Sequence, residues 1–136
     1  AALKAEYTLP GISQSVVITR MAGRTPVPEK ESIRSFAAHQ ATMVLFLSTG
    51  MLEKLSEELV AGGYQEETPA AIVYKATWPE EKVMHCTVGT LAETAEREKV
   101  TKTALIVVGN VLNTEYERSK LYDPAFTTEF RKGKEV

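Results

Sequence analysis

The sequence predicts one α/β domain with a five-stranded mixed, mostly parallel sheet flanked by helices, one strand being antiparallel. Three observations support this prediction. The chain has 136 residues, a usual size for a single domain, and 43% of them are apolar. Runs of β-branched residues alternate with segments of helical periodicity along the chain. One pair of predicted strands is joined by only a few residues, so these two strands are antiparallel neighbours.

The first half of the chain predicts two strands, each followed by a helix. Residues 15–20 form a short β-branched run, typical of a strand. Helical spacing of apolar residues then predicts a helix over 29–40. Residues 42–47 are almost wholly apolar, as in a strand covered on both faces. Ser48 or Thr49 can cap the next helix, which Gly62 and Gly63 end.

The second half predicts a hairpin, a helix and a fifth strand. Residues 70–76 and 82–88 are the hairpin strands, with a turn that contains Trp78 and Pro79 between them. Thr90 and Glu93 have the spacing of a capping box, which predicts a helix that continues to about residue 99. Residues 104–112 form another apolar run and are the fifth predicted strand.

The ends of the chain differ in composition from its centre. Residues 1–6 are good helix formers with no N-cap before them, so we interpret 1–8 as the remnant of an interdomain helix or linker. Residues 9–112 form the α/β domain. Residues 113–136 are polar and are predicted to be a loosely attached tail.

Composition argues against several classes of function. The formal net charge is −2, so no basic excess points to nucleic acid, and no apolar run is long enough to cross a membrane. The glycine positions match neither a dinucleotide fingerprint nor a P-loop. The two histidines have no neighbours at metal-ligand spacing, so no metal site is expected. Cys86 is the only cysteine, which fits a reducing cytoplasm.

Cys86 and His85 are neighbours on one predicted strand and therefore point to opposite faces. Cys86 shares its face with Met84 and Val88, which favours a core position over a nucleophile. His85 is expected to be a satisfied or exposed strand histidine and not a catalyst.

Two segments lie where predicted parallel strands end, the edge at which open α/β sheets bind ligands. In residues 19–26, Arg20 and Arg24 flank Gly23 and are either a clamp for carboxylates or part of a solvated loop. Residues 46–50 run from a strand end into a helix N-terminus. Their free amides either bind the polar edge of a ligand or are explained by ordinary helix capping.

A third segment, residues 74–79, follows the next predicted strand. The small side chain of Ala76 leaves room for a ring or a thioether, and Trp78 could cover such a group. Alternatively, Trp78 and Pro79 only stiffen the hairpin. The residues alone do not decide between these interpretations.

Taken together, these motifs resemble one family of methyltransferases. The motif Thr-Leu-Pro-Gly-Ile-Ser-Gln stands at 8–14, Thr-Arg-Met-Ala-Gly-Arg-Thr-Pro-Val-Pro at 19–28, and Ala-Thr-Trp-Pro-Glu-Glu-Lys at 76–82. Residues 105–109 (Leu-Ile-Val-Val-Gly) and 119–124 (Ser-Lys-Leu-Tyr-Asp-Pro) fit as well. The chain is similar to the C-terminal domain of precorrin-4 C11-methyltransferases, tetrapyrrole methylases of cobalamin biosynthesis.

The resemblance implies a two-domain, homodimeric enzyme that moves a methyl group from S-adenosylmethionine to C11 of precorrin-4 or cobalt-precorrin-4. The cofactor would lie in the cleft shared with an N-terminal domain. By motif alignment, the implied cofactor-binding residues are Leu47, where relatives often carry methionine, together with Ala76, Ala104 and Leu105. The implied substrate-binding residues are Arg20 and Arg24. No catalytic residue is implied.

Two alternatives remain. The chain could be a non-catalytic α/β binding or dimerisation module. It could also belong to a methylase that acts on another corrin precursor or on uroporphyrinogen III, although the Ala-Thr-Trp-Pro segment argues against this alternative.

Overall fold

The computed structural model describes residues 1–46 and 48–112, together with Thr127 and Lys132. Within them the predicted order of five strands and three helices is confirmed. The elements are β1 (Val16–Arg20), α1 (Ile33–Ala37), β2 (Thr42–Phe46), α2 (Leu52–Gly62), β3 (Pro69–Tyr74), β4 (Lys82–Thr87), α3 (Leu91–Arg97) and β5 (Ala104–Val108). Short 3-10 turns lie at 29–31, 49–51, 88–90 and 110–112. No helix in the described part of the chain is both long enough and apolar enough to span a bilayer.

The five strands form one mixed sheet in the order β1-β2-β5-β3-β4. β1 and β2 are parallel, whereas β2–β5, β5–β3 and β3–β4 are all antiparallel neighbours. The predicted five-stranded mixed α/β sheet is therefore confirmed. The predictions of a mostly parallel sheet and of a single antiparallel strand are corrected, because both β4 and β5 run against the other three strands and β1–β2 is the one parallel pair among the described strands.

The direction of β5 follows from the hairpin that precedes it. Each helix joins two strands of equal direction, as a crossover connection requires: α1 joins β1 to β2, α2 joins β2 to β3, and α3 joins β4 to β5. The β3–β4 turn reverses the chain, and α3 keeps the reversed direction. β5 then enters the sheet between β2 and β3, so that its first residue, Ala104, pairs with the last residue of β3, Tyr74.

All three helices pack on one face of the sheet. From β4 to β5 the chain moves across the sheet in the opposite sense to the β1–β2 and β2–β3 crossovers. The two strands that α3 joins also run opposite to β1, β2 and β3, so the two reversals cancel. Right-handed crossovers therefore place all three helices on the same side. One apolar core joins these helices to the sheet, and its fully buried members include Leu55 and Leu59 of α2, Leu91 of α3, and Met43, Ile72 and Ile106 of the strands.

The helix boundaries differ from the predicted ones for local reasons. Ser32 is extended (ψ 155°), and its hydroxyl accepts a hydrogen bond from the Ser35 N–H, so it divides the helix expected over 29–40. The predicted capping box of Thr90 with Glu93 is wrong, since Thr87 and Thr90 form the capping box. The 3-10 turn over 88–90 therefore begins at the residue that directly follows β4.

Both ends of the domain also differ from expectation. Residues 1–6 contain a turn in which the Lys4 N–H bonds to the Ala1 carbonyl at 2.9 Å, and not the predicted end of a helix. β5 ends at Val108, because Gly109 has a φ of +153° that redirects the chain into a 3-10 turn. The tail predicted over 113–136 lies outside the described residues, apart from Thr127 and Lys132.

Candidate functional site

A cleft of about 400 Å³ opens at one edge of the sheet. The C-terminal ends of β2 and β3 meet the N-terminal end of β5 there, because β5 runs against both neighbours. The lining residues are Phe46, Thr49 and Gly50 from the end of β2 and the turn after it, Val73 and Ala76 from the end of β3, and Thr101, Lys102, Thr103, Ala104 and Leu105 from the start of β5.

Three of the four predicted cofactor-binding residues lie together in this cleft. Ala76, Ala104 and Leu105 all line it, although Ala76 stands 28 residues before Ala104 in the sequence. Leu47 lies outside the described residues, while Phe46 and Thr49 on either side of it are lining residues. The cofactor-binding role of these residues stays a prediction.

The turn after β3 forms one wall of the cleft. The Lys75 N–H donates to the Thr103 carbonyl at 2.8 Å, which ties this turn to the segment before β5. Lys75 and Thr77 have φ values of +45° and +72°, so the backbone turns sharply on both sides of Ala76. This geometry holds Ala76 at the mouth of the cleft.

Trp78 stiffens this turn and does not line the cleft. The Lys75 Nζ lies 5.2 Å from the centroid of the Trp78 ring and 5.3 Å from that of Tyr74, in cation–π geometry. The same ammonium lies 3.5 Å from a carboxylate oxygen of Glu80. Trp78 remains 53% exposed. Of the two interpretations of Trp78, the described structure favours the stiffening of the hairpin.

The hydroxyl groups of Ser48 and Thr49, between β2 and α2, bond to neighbouring backbone groups and do not cap α2. Ser48 is fully buried; its Oγ donates to the Phe46 carbonyl at 2.9 Å and accepts from the Met21 N–H at 3.4 Å. The Thr49 Oγ1 lies 3.5 Å from the Ala104 carbonyl across the cleft. No side chain caps α2, so the predicted caps Ser48 and Thr49 are wrong.

Arg20 and Arg24 occupy different environments in the loop after β1. The Arg20 guanidinium donates to the carbonyl oxygens of Met21 and Thr25, both at 3.3 Å, and of Pro26 at 3.1 Å. Arg24 is exposed and has no ion-pair partner among the described residues. The two guanidinium groups therefore do not form a matched pair that is free to clamp carboxylates.

Sequence reasoning missed the segment of Thr101, Lys102 and Thr103 that lines the cleft. These residues appeared only as the connection into the fifth strand. The sequence nevertheless contained a signal for the position of this segment. A strand that follows an antiparallel hairpin through a helix runs in the reversed direction, so its N-terminal end lies beside the C-terminal ends of the earlier strands.

The predicted placement of Cys86 and His85 on opposite faces of β4 is confirmed. The Cys86 side chain packs against the core, and burial raises the pKa of its thiol, which disfavours the nucleophilic thiolate. His85 is exposed on the other side of β4. Within residues 1–46 and 48–112, no three His, Cys, Asp or Glu side chains are grouped so as to hold a metal ion.

The cleft is suited to binding and orientation more than to proton transfer. Its side chains are small, apolar or hydroxyl-bearing, and Lys102 is the one titratable residue among its described lining residues. A volume of about 400 Å³ lies within the usual range for small-molecule sites. The arrangement can enclose a ligand of cofactor size between main-chain groups and short side chains.

Comparison with known proteins relates the chain to one family. Residues 1–92 match the family model of the Tetrapyrrole (Corrin/Porphyrin) Methylases. The chain is 53% identical over 133 residues to a cobalt-precorrin-4 C(11)-methyltransferase of Methanocaldococcus jannaschii, an alignment that covers 97% of this chain and 51% of the relative. It is 41% identical over 127 residues to a precorrin-4 C(11)-methyltransferase of Mycobacterium tuberculosis, covering 92% of this chain and 51% of the relative.

A solved structure supports the same relationship. The X-ray structure of a cobalt precorrin-4 methyltransferase, a cobalamin biosynthetic enzyme, superposes with a TM-score of 0.80 at 42% identity. The match covers 82% of this chain and 47% of that structure. The chain thus spans about half the length of the relatives that it matches.

Proposed function

The chain belongs to the tetrapyrrole (corrin/porphyrin) methylase family, and we propose that the protein containing it methylates C11 of precorrin-4, in the metal-free or the cobalt form. S-adenosylmethionine is the proposed methyl donor. The relatives that align along nearly the whole chain carry these substrate names. Since the chain spans about half of their length, the activity is assigned to the whole protein and not to these residues alone.

The observation that carries this proposal is the meeting of Ala76, Ala104 and Leu105 in one cleft. The family resemblance implies a cofactor-binding role for all three residues. The cleft passes a simple test of fit for the cofactor. The side chains of Ala76 and Ala104 are short and leave space in the cleft, and the backbone at the start of β5 borders that space.

When bound, the cofactor would supply an activated methyl group on a sulfonium: a nucleophilic ring carbon attacks the methyl carbon, the methyl–sulfur bond breaks, and the neutral thioether leaves with the bonding electrons. The protein's task is then to hold the two reacting centres in line and to exclude water. Positioning of this kind is worth about 7–11 kcal/mol of the barrier without a covalent enzyme intermediate. Phe46 and Val73 give the cleft an apolar wall, which would favour loss of the sulfonium charge once the second domain excludes water from the site.

The remaining features of the whole protein are part of the same proposal. Residues 9–112 act as the C-terminal domain, 1–8 as the link to an N-terminal domain, and 113–136 as an arm. The second domain closes the cleft from the other side. We propose a cytoplasmic homodimer, which is consistent with the single cysteine of this chain.

The decisive experiment supplies the full-length protein with methyl-13C S-adenosylmethionine and, separately, with precorrin-4, cobalt-precorrin-4 and uroporphyrinogen III. We expect a new labelled methyl signal at C11 of one or both precorrin-4 forms. Labelling of uroporphyrinogen III alone would favour the alternative methylase. Absence of transfer to every substrate would favour a non-catalytic module.

The isolated chain provides a second test. We expect it to transfer no methyl group and to bind S-adenosylmethionine very weakly, because only one wall of the proposed site is present. Tight binding in calorimetry of the isolated 136 residues would contradict the shared cleft.

A further inference from the structure

The side chain of Arg20 is used inside its own loop. Its Nη1 donates to the Met21 and Thr25 carbonyls, and its Nη2 donates to the Pro26 carbonyl. These three acceptors are spread over the whole loop of residues 21–26. Only a planar guanidinium with several donors in fixed directions can join them at once. Arg20 therefore determines the path of the chain after β1.

Arg24 lies within the loop that Arg20 folds. It is exposed, and none of the hydrogen bonds or ion pairs in the described structure uses its guanidinium. The Gly23 N–H bonds to the Thr25 carbonyl at 3.3 Å, so the backbone closes on itself around Arg24. The loop thus presents one unpaired cation from a constrained backbone.

Two contacts hold the loop against the segment that lines the cleft. At the base of the loop, the Met21 N–H donates to the Oγ of the fully buried Ser48. Near its tip, a Cβ added to Gly23 would lie 3.4 Å from the Cε of Met51, so the backbone there passes directly over that side chain. Ser48 and Met51 flank Thr49 and Gly50, which line the cleft.

We propose that Arg24 binds a carboxylate of the substrate, and that Arg20 and Ser48 are positioning residues that hold the Arg24 loop beside the cleft. The first part rests on the proposed function, since it takes the substrate to be a tetrapyrrole with carboxylate side chains. The second part rests only on the hydrogen bonds given above. The sequence resemblance implies substrate binding for both arginines, whereas here Arg24 binds the substrate and Arg20 holds the loop in place.

The two arginines should respond differently to replacement by lysine. At Arg24 a positive charge near the substrate is what matters, so lysine should retain much of the effect. At Arg20 one ammonium on a flexible stem cannot reach three carbonyls that lie in different directions, so lysine should fail. This contrast separates a binding residue from a positioning residue.

The experiment uses the full-length protein with Arg24→Gln, Arg24→Lys, Arg20→Gln and Arg20→Lys, and with Arg34→Gln as the matched control. Arg34 is an exposed arginine on α1 that pairs with Glu58 at 3.0 Å. The readouts are KM for the tetrapyrrole, KM for S-adenosylmethionine, kcat, and the Kd for uroporphyrin, a stable polycarboxylate probe. Trypsin cleavage after residue 24, followed by mass spectrometry, reports on the order of the loop without any need for activity.

For Arg24→Gln we expect KM for the tetrapyrrole and Kd for uroporphyrin to rise on the order of tenfold, the size of one charge-assisted contact. The cofactor KM should not change, and Arg24→Lys should restore most of the loss. Arg20→Gln and Arg20→Lys should be equally impaired, and both should be cut after Arg24 several times faster than the wild type. Arg34→Gln should match the wild type in every readout.

Three results would overturn the proposal. One is an unchanged KM and Kd in Arg24→Gln. Another is rescue by Arg20→Lys, which would make Arg20 the binding residue. The third is equal trypsin cleavage of the wild type and the Arg20 variants. If the wild type methylates no tetrapyrrole, the proposed function fails, while cleavage after Arg24 and uroporphyrin binding still decide the roles of the two arginines.

Discussion

The backbone N–H of Lys75 donates a 2.8 Å hydrogen bond to the carbonyl of Thr103. The bond extends the β3–β5 ladder by one step beyond the last pair, Tyr74 with Ala104. Two segments that the sequence separates are thereby held side by side at the cleft. Ala76, one residue further along, lines the cleft, so a larger side chain there would enter it.

We predict that Ala76→Leu lowers the affinity of the full-length protein for S-adenosylhomocysteine by at least about tenfold. Extra methylenes in a defined space typically cost about 1–3 kcal/mol, and tenfold corresponds to about 1.4 kcal/mol. Calorimetric titration gives the affinity directly. Ala61→Leu is the matched control, because Ala61 is exposed on α2 and does not line this cleft. Equal affinities in the two variants would place the cofactor elsewhere.

Gly62 allows α1 and α2 to approach closely, and its replacement by alanine should destabilise the protein by about 1–3 kcal/mol. An added Cβ would lie 2.5 Å from both the Ala37 Cβ and the Arg34 carbonyl oxygen, and backbone atoms cannot move aside cheaply. Urea unfolding measures the change. Gly50→Ala serves as the control, since a Cβ there meets nothing within 4 Å. A similar loss of stability in both variants would show that close packing at Gly62 is not the cause.

Local patterns in the sequence predicted the elements well, because each depends on residues near one another. The strand predicted over 104–112, which begins at Ala104 as expected although it ends at Val108, and the terminating glycines of α2 are examples. The place of β5 between β2 and β3 depends on pairing across the whole chain, which no local pattern contains. Its direction, by contrast, could be inferred from the hairpin and the crossover that precede it.

The candidate site, like the fold, could be predicted from the sequence only in part. Ala76, Ala104 and Leu105 were identified by resemblance, and the structure brings them together. The use of Arg20 inside its own loop could not be predicted, since a guanidinium can donate to a carboxylate or to a main-chain carbonyl. Which acceptor it takes depends on the path of the loop. The capping box was misplaced because two overlapping signals share Thr90.

Cys86 should react slowly in the native protein. Burial raises the pKa of its thiol, against smaller opposing effects of a hydrogen bond with Thr94 and the charge of Arg97. The thiolate is therefore scarce at pH 8, and the side chain packs against the core. We expect alkylation by iodoacetamide, followed by peptide mapping, to be at least about tenfold slower than in the urea-unfolded protein.

The companion variant Cys86→Ser tests the structural role of this residue. We expect methyl transfer within about twofold of the wild type, since Cys86 does not line the cleft. Rapid alkylation of the native protein would contradict the packing of Cys86 against the core, and loss of transfer in a Cys86→Ser variant of wild-type stability would contradict its place outside the site.

The Tyr64 phenol should make the stability of the protein depend on pH in the alkaline range. Tyr64 is only 3% exposed, and its hydroxyl donates to the Ala41 carbonyl just before β2. Burial raises the pKa of Tyr64 from 10.0 to about 12. The folded protein therefore keeps the phenolic proton in a range where the unfolded chain releases it. Unfolding there releases a proton, so the free energy of unfolding falls as pH rises from 10 toward 12.

Tyr64→Phe tests this linkage. Near neutral pH the variant should be less stable by about 0.5–1.5 kcal/mol, the net value of one hydrogen bond, with a further cost from the Ala41 carbonyl left without this partner. Above pH 10 the difference from the wild type should narrow, because phenylalanine has no proton to release. Urea unfolding at pH 7, 9 and 10.5 measures both effects. Tyr7→Phe is the control, since Tyr7 is 59% exposed; a constant difference between wild type and Tyr64→Phe at all three pH values would refute the linkage.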